Sequence, residues 1–322
     1  MATIGVETEP PRGEREWRAE GPGAFAAATP WWERRLAWLL VAPTLLFLLV
    51  FSVVPAVTAV LFAFSRVRLQ RGGLERTFIG LQNFGRAFAD PLVAQSVGIT
   101  LRWVVIVTTA EVLLGLALAL LLSGSIKGRG VFTSLLMVPI IMPPVAVSIA
   151  WLFMYDPGFG IFNYALNQAG LPSVRWLSDP DLALYSMMAV DIWQATPFVF
   201  LLLYAALLSL PRDPYEAAAI DGAGRWHVFR TVTLPLLAPV LLVVLLLRLI
   251  DAARIFDKIF VMTRGGPGSS SYTMTLTIYI EGFTKFDFGY ASALSFLFQI
   301  ALILFATVYV KRALADYSAP PA

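Results

Sequence analysis

The stretch Asp213-Pro214-Tyr215-Glu216-Ala217-Ala218-Ala219-Ile220-Asp221-Gly222, followed by Val232-Thr233-Leu234-Pro235, stands between two long apolar runs and decides how the chain is read. Asp213 is a capping residue type, Pro214 suits the first helical position, where no N–H is needed, and Glu216 stands where a capping box places its carboxylate. The three alanines favour helix while adding little bulk, and Gly222 or Gly224 can close the last turn in a left-handed conformation. The spacing therefore predicts a short, small-faced helix between two membrane spans, within a loop over 211–235.

Outward from this loop the chain is hydrocarbon-like. Of its 322 residues 58% are hydrophobic and only 14% charged, where soluble domains carry about a quarter charged residues; mean hydropathy is +0.74. A crossing helix needs about 20 predominantly apolar residues, and six candidates can be placed. The first lies in the uncharged interval between Arg35 and Arg66, the second over 104–122 and the third over 131–154. The fourth covers 184–208, the fifth 235–252 and the sixth 291–310. Residues 1–30 are rich in Pro, Gly, Ala and Glu without apolar periodicity and read as a flexible tail. Residues 31–315 then form one membrane domain, and 316–322 a short C-terminal tail. The first apolar run is longer than a signal-peptide core and no Ala-x-Ala site follows it, so it reads as an anchor.

Lys/Arg counts favour both termini on the cytoplasmic side, because Arg34, Arg35, Lys127, Arg129, Arg212, Arg225, Arg230, Lys311 and Arg312 then lie inside. Arg66, Arg68, Arg71, Arg76 and Arg86 count against that orientation. The net charge of +3 says little about partners, and nothing points to nucleic acid. With no cysteine and a single histidine, His227, thiolate chemistry is excluded and no metal site is expected. No G-x-x-x-x-G-K-[ST] loop is present, so ATP is not hydrolysed by this chain, and the glycine clusters at 128–130, 222–224 and 265–268 read as turns. A serine hydrolase built on Ser269, Ser270 or Ser271 fails on reach, since His227 belongs to the opposite face.

Charges inside hydrocarbon are costly and face a bundle interior or a wet cavity, which singles out Glu111, Asp191, Arg248 and Asp251. Arg248 with Asp251, and Arg254 with Asp257, have the three-residue spacing of intrahelical pairs. Glu111 and Asp191 have no local partner, which makes them the better candidates for a pathway. Around Asp191 stand Trp193, Gln194 and Thr196, a mixture of aromatic and hydrogen-bonding groups suited to a sugar ring, and Pro197 can leave a carbonyl free. A packed, proline-kinked helix explains the same residues equally well. Gln299 interrupts the sixth apolar run and faces either the pathway or a neighbouring helix. Pro139, Pro143 and Pro144 predict a kink in the third span. Trp31, Trp32, Trp103, Trp151 and Trp176 read as interfacial anchors.

The Glu216-Ala217-Ala218 pattern, with glycine six residues after the glutamate and Leu234-Pro235 beyond, resembles the EAA loop of bacterial ABC-importer permeases. Further stretches resemble the sugar-permease branch, of maltose, trehalose and glycerol-phosphate type. They are Gly80-Leu81-Gln82-Asn83-Phe84, Asp191 through Phe198, Ile255-Phe256-Asp257 through Gly268, and Phe286 through Leu294. Arg264 stands where such permeases commonly have glycine, and Val232 replaces the more usual isoleucine. The resemblance implies an all-α integral membrane protein of six transmembrane helices with the type I ABC-importer permease fold, in a bacterial inner membrane. It implies that Glu216, Ala217, Ala218, Asp221, Gly222, Leu234 and Pro235 dock a separate dimeric cytoplasmic ATPase, which uses ATP and Mg while this chain binds no cofactor and is no enzyme. It also implies a second permease subunit, an extracytoplasmic binding protein and a sugar or polyol as cargo. The pathway candidates are then Glu111, Asp191, Trp193, Gln194, Thr196, Asp251 and Gln299. The alternative is a self-sufficient carrier or channel driven by ions through Glu111, Asp191 and Asp251.

Overall fold

The computed structural model describes residues 31–70, 73–124 and 127–318; the expected N-terminal tail and the end of the C-terminal tail lie outside them. By its packing the chain falls into two bodies, one ending at Thr58 and one beginning at Ala59. The first holds α1 (Trp31–Leu48), a π-helical turn over Leu49–Val53, and the start of α2 (Val54–Ala63). Apolar side chains are exposed around its circumference, a surface made for hydrocarbon rather than water.

In the second body a hairpin comes first. Strands β1 (Ser65–Gln70) and β2 (Gly73–Phe78) pair antiparallel, with Arg68 opposite Glu75. Ser65 and Val67 are buried while Arg66 and Arg68 are exposed, the period-two alternation of a strand lying on other structure. This small sheet is the one addition to an otherwise helical protein among the described residues. After α3 (Gln82–Ala89) comes α4 (Pro91–Ser123), which Asp90 caps by accepting from Leu92 N at 2.9 Å. Tyr290 donates to the other oxygen of Asp90 at 2.9 Å, and Arg86 lies 3.7 Å over the Tyr290 ring while pairing with Asp287 at 2.6 Å. One polar cluster thus fixes where the second span begins.

The expected third span is two helices, α5 (Arg129–Ile141) and α6 (Pro144–Met154), bent by 95° at Met142-Pro143. That is a break rather than the expected kink: consecutive prolines remove two successive N–H donors, so no helical ladder crosses the joint. After α7 (Ile161–Gln168) come α8 (Ala183–Ser209), the short α9 (Asp213–Ile220) and α10 (Arg225–Val228). A π-helical turn over Phe229–Thr233 leads into α11 (Leu234–Ala253). α12 (Asp257–Met262), α13 (Met274–Tyr279) and α14 (Phe288–Ser318) complete the chain, and the last runs past the expected boundary at 315. Five helices are long and apolar enough to cross a membrane, and the bent pair makes a sixth if it counts as one span.

α4 and α8 pack side by side and form the spine of this body. Gly115 permits the approach, because a Cβ there would stand 2.6 Å from Val199 Cγ1 and 3.0 Å from the Phe200 nitrogen. Gly115→Val is expected to push the two helices apart at a cost of about 1–3 kcal/mol. A lower midpoint in thermal unfolding of the detergent-solubilised assembly would show it, whereas an unchanged midpoint would mean that the contact is slack. Trp103, Val107, Leu184, Met187 and Ile259 fill one core, and Ala119, Val199, Phe200, Leu203 and Leu237 another. Trp103 is therefore a core residue rather than an interfacial anchor, and Trp151 and Trp176 belong to a ring cluster with Tyr155 and Phe162.

Candidate functional site

Three spans and a short helix deliver charge to a single point. Glu111 comes from α4, Asp191 from α8, Arg248 and Asp251 from α11, and Lys258 from α12. Arg248 grips Glu111 with two parallel bonds, Nε to Oε2 at 2.6 Å and Nη2 to Oε1 at 2.9 Å. Its Nη1 donates to Asp251 Oδ2 at 2.5 Å, and Nη2 lies 3.6 Å from Asp191 Oδ2. Lys258 Nζ holds Asp191 Oδ1 at 2.7 Å. Glu111 is 0% exposed, Arg248 4% and Asp191 5%, so each needs its partners, because an unpaired charge at such depth is prohibitive. The guanidinium's planar fork lets one residue serve carboxylates from three directions.

The site holds three carboxylates and two cations, and the excess negative charge has an address. The Asp251 side chain is 75% exposed and lines a cavity of about 420 Å³ together with Asp191, Gln194, Arg248, Lys258 and Met142. Ile140, Pro144, Ala195, Phe198 and Leu247 supply its apolar wall. The break in the third span completes it. Gln194 Nε2 donates to the Met142 carbonyl at 3.0 Å, an acceptor turned out of both helices because Met142 is extended at the joint, with φ −74° and ψ 133°. Asp191 Oδ2 and Gln194 Oε1 accept no hydrogen bond.

Of the pathway candidates, Asp191, Gln194 and Asp251 meet at this cavity, and the others do not. Glu111 is sealed behind Arg248 and holds the network together. Trp193, 41% exposed, lies against Trp151 with ring centres 5.5 Å apart. The Thr196 hydroxyl donates to Ile192 O at 2.6 Å, one helical turn back. Gln299 lies in a different groove of about 410 Å³, with Arg254, Tyr279 and Ser295 among its walls. The Arg254–Asp257 pair does not form among the described residues, because α11 ends at Ala253 and the next helix starts only at Asp257. Lys258 escapes the sequence reading, although a lysine between Ile255-Phe256 and Ile259-Phe260 is itself a sign of a buried partner.

At the other site, the short helix forms where the sequence places it, but Asp213 is its first residue and not its cap. Arg212 holds the cap position and makes no side-chain cap bond. Gly222 sits at φ 68° and closes the helix in a Schellman turn, with Ala223 N donating to Ala218 O at 3.0 Å and Gly222 N to Ala219 O at 3.2 Å. Glu216, Ala217 and Asp221 are exposed and Ile220 is 86% exposed. The Tyr215 hydroxyl donates to Thr233 Oγ1 at 3.2 Å, tying this helix to the foot of α11, where Leu234 is half-buried and Pro235 exposed.

Apolar spans around a charged cavity, with a short exposed helix strapped to the foot of one span, describe the membrane part of a transport system. Residues 111–320 match the family model of the binding-protein-dependent transport system inner membrane component, and the chain belongs to that family. It is 37% identical over 279 residues to the trehalose/maltose transport system permease protein MalF of Thermococcus litoralis, covering 87% of this chain and 94% of that one. It is 32% identical over 279 residues to the trehalose transport system permease protein SugA of Mycobacterium tuberculosis (87% and 89% covered). The same identity and length relate it to the sn-glycerol-3-phosphate transport system permease protein UgpA of Shigella flexneri (86% and 94%). Its fold is that of a solved bacterial ABC transporter involved in alginate import, with a TM-score of 0.77 at 22% identity over 88% of this chain and 97% of that one.

Proposed function

We propose that this chain is one of two permease subunits of an ATP-driven, binding-protein-dependent importer of a sugar, and forms half of the translocation pathway. Its partners are a second permease, a cytoplasmic ATPase dimer that uses ATP and Mg, and an extracytoplasmic binding protein. Both termini then face the cytoplasm of a bacterial inner membrane. The observation that carries this reading is the physical link between the exposed helix and the cavity. α9 presents Glu216, Asp221 and Ile220 outward with no partner in this chain for either carboxylate among the described residues, and its Tyr215 is bonded to Thr233 at the foot of α11, which runs on to Arg248. Fourteen residues separate Leu234 from Arg248, about 21 Å at 1.5 Å per residue.

A push on α9 is therefore transmitted through the Tyr215–Thr233 bond and the Schellman turn to the charged floor of the cavity. ATP-driven closure of the ATPase pair acts at one end of this lever, and the pathway opens alternately to either side at the other. Such a shift requires ATP and the loaded binding protein to favour the outward-open state over the inward-open one. Against the ion-driven alternative through Glu111, Asp191 and Asp251 stands the network itself, in which Arg248 holds Glu111 with two bonds and Lys258 holds Asp191, leaving Asp251 as the one exposed carboxylate of the three.

The assembly reconstituted in sealed vesicles tests the proposal. Sugar uptake is expected only with ATP on the ATPase side and binding protein on the other. Uptake by the chain under a sodium or proton gradient alone, without ATP, would refute it.

A further inference from the structure

Family membership leaves the charge of the cargo open, since relatives of similar identity are named for trehalose and for sn-glycerol-3-phosphate. We infer that the cavity at Asp191, Gln194 and Asp251 takes an uncharged, hydroxyl-rich ligand and discriminates against anionic ones. The inference rests on the transport reading above and concerns what that pathway admits.

The charge balance of the wall decides it. Both cations there are committed: Arg248 to Glu111, Asp251 and Asp191, and Lys258 to Asp191. The group that faces open space is Asp251, the only one of the five charges that is largely exposed. A phosphate or carboxylate entering the cavity meets this negative charge and finds no guanidinium free to form the paired bonds such groups seek. A hydroxyl meets the opposite situation. Asp251 is exposed and has engaged only Oδ2, so its other oxygen is an open acceptor for a hydroxyl, while behind it Gln194 Oε1 is buried without a hydrogen bond in the same wall. Phe198 and Leu247 offer apolar surface to the C–H face of a sugar ring. The cavity's volume lies in the ordinary range for small-molecule sites.

The test uses the full assembly in nanodiscs without the binding protein, so that only the permease chooses. Equilibrium binding is measured for trehalose and for trehalose 6-phosphate, which share both rings. Trehalose is expected to bind about tenfold more tightly, the scale of a like-charge contact in a wet cavity. Asp251→Asn keeps the volume and removes the charge, and should shrink the ratio at least about threefold, as should raising salt from about 0.05 to 0.5 M on the unaltered assembly. Equal or tighter binding of the phosphate, a ratio that ignores both Asp251→Asn and salt, or saturable binding of neither sugar would each overturn the inference. ATP dependence of uptake is read separately in vesicles, so failure of the transport reading shows there, whatever the ratio.

Discussion

Arg248→Ala is expected to prevent the permease from accumulating as a folded assembly. It leaves Glu111 wholly buried with no counter-charge and deprives Asp191 and Asp251 of a shared partner. Removing one member of a buried pair costs about 3–5 kcal/mol, since the remaining charge is stranded, which is a large part of a protein's total stability. Fluorescence-detected size exclusion of tagged protein in mild detergent would show aggregate or loss in place of a symmetric peak. The companion variant Glu111→Leu/Arg248→Met removes both members together and leaves Asp191 to Lys258. It should recover most of the folded material, because apolar replacements of an entire buried pair are tolerated. A single Arg248→Ala variant as stable as the parent would show that the network does not hold α4, α8 and α11 together.

Glu216→Ala combined with Gly222→Pro acts at the other end of the lever. Proline cannot adopt the positive φ of Gly222 and lacks the N–H that donates to Ala219, so the Schellman turn is lost. Glu216 has no partner within the chain among the described residues, so its removal affects only what lies outside. The permease should remain in the membrane at normal levels while sugar moved per ATP hydrolysed falls about 5- to 150-fold, the range of a lost coupling energy of 1–3 kcal/mol. Normal uptake would reject the docking role, and loss of the protein from the membrane would move these residues from coupling to folding. Together the two variants separate failure of folding from failure of the drive.

How much of this was legible in the sequence depended on how far apart the interacting residues lie. Uninterrupted apolar runs marked the spans, and Gly222, one of two candidates with Gly224, marks the end of α9, because both signals are local. The second span starts at Pro91 and not near 104, since Gln95, Ser96, Thr100 and Arg102 make its first turns look like a loop. Ser96 and Thr100 are satisfied by Thr277 and the Met274 nitrogen, at 2.6 and 2.9 Å, from more than 170 residues away. The hairpin was hidden by its arginines, although their alternation with Ser65 and Val67 carried the signal.

In the charged site the Arg248–Asp251 pair was visible from its spacing, whereas the partners of Glu111 and Asp191 lie on other helices. The same spacing rule failed for Arg254 and Asp257 because it presumes a continuous helix. Proline chemistry announced a bend at Pro143-Pro144, but neither its 95° nor the bond from Gln194 on another helix to the carbonyl it exposes is a local signal.

That joint also bears on how the protein comes to be in its membrane. α5 has 13 residues and α6 has 11, about 20 and 16 Å of helix, and neither spans a hydrocarbon layer of about 30 Å. With no ladder running through the prolines, the two halves cannot add their lengths, and the bare carbonyl between them is unwelcome in lipid. Gln194, which satisfies it, is synthesised some fifty residues later. Biogenesis of this stretch therefore cannot finish in the order of translation: its final seating waits for α8 to leave the ribosome.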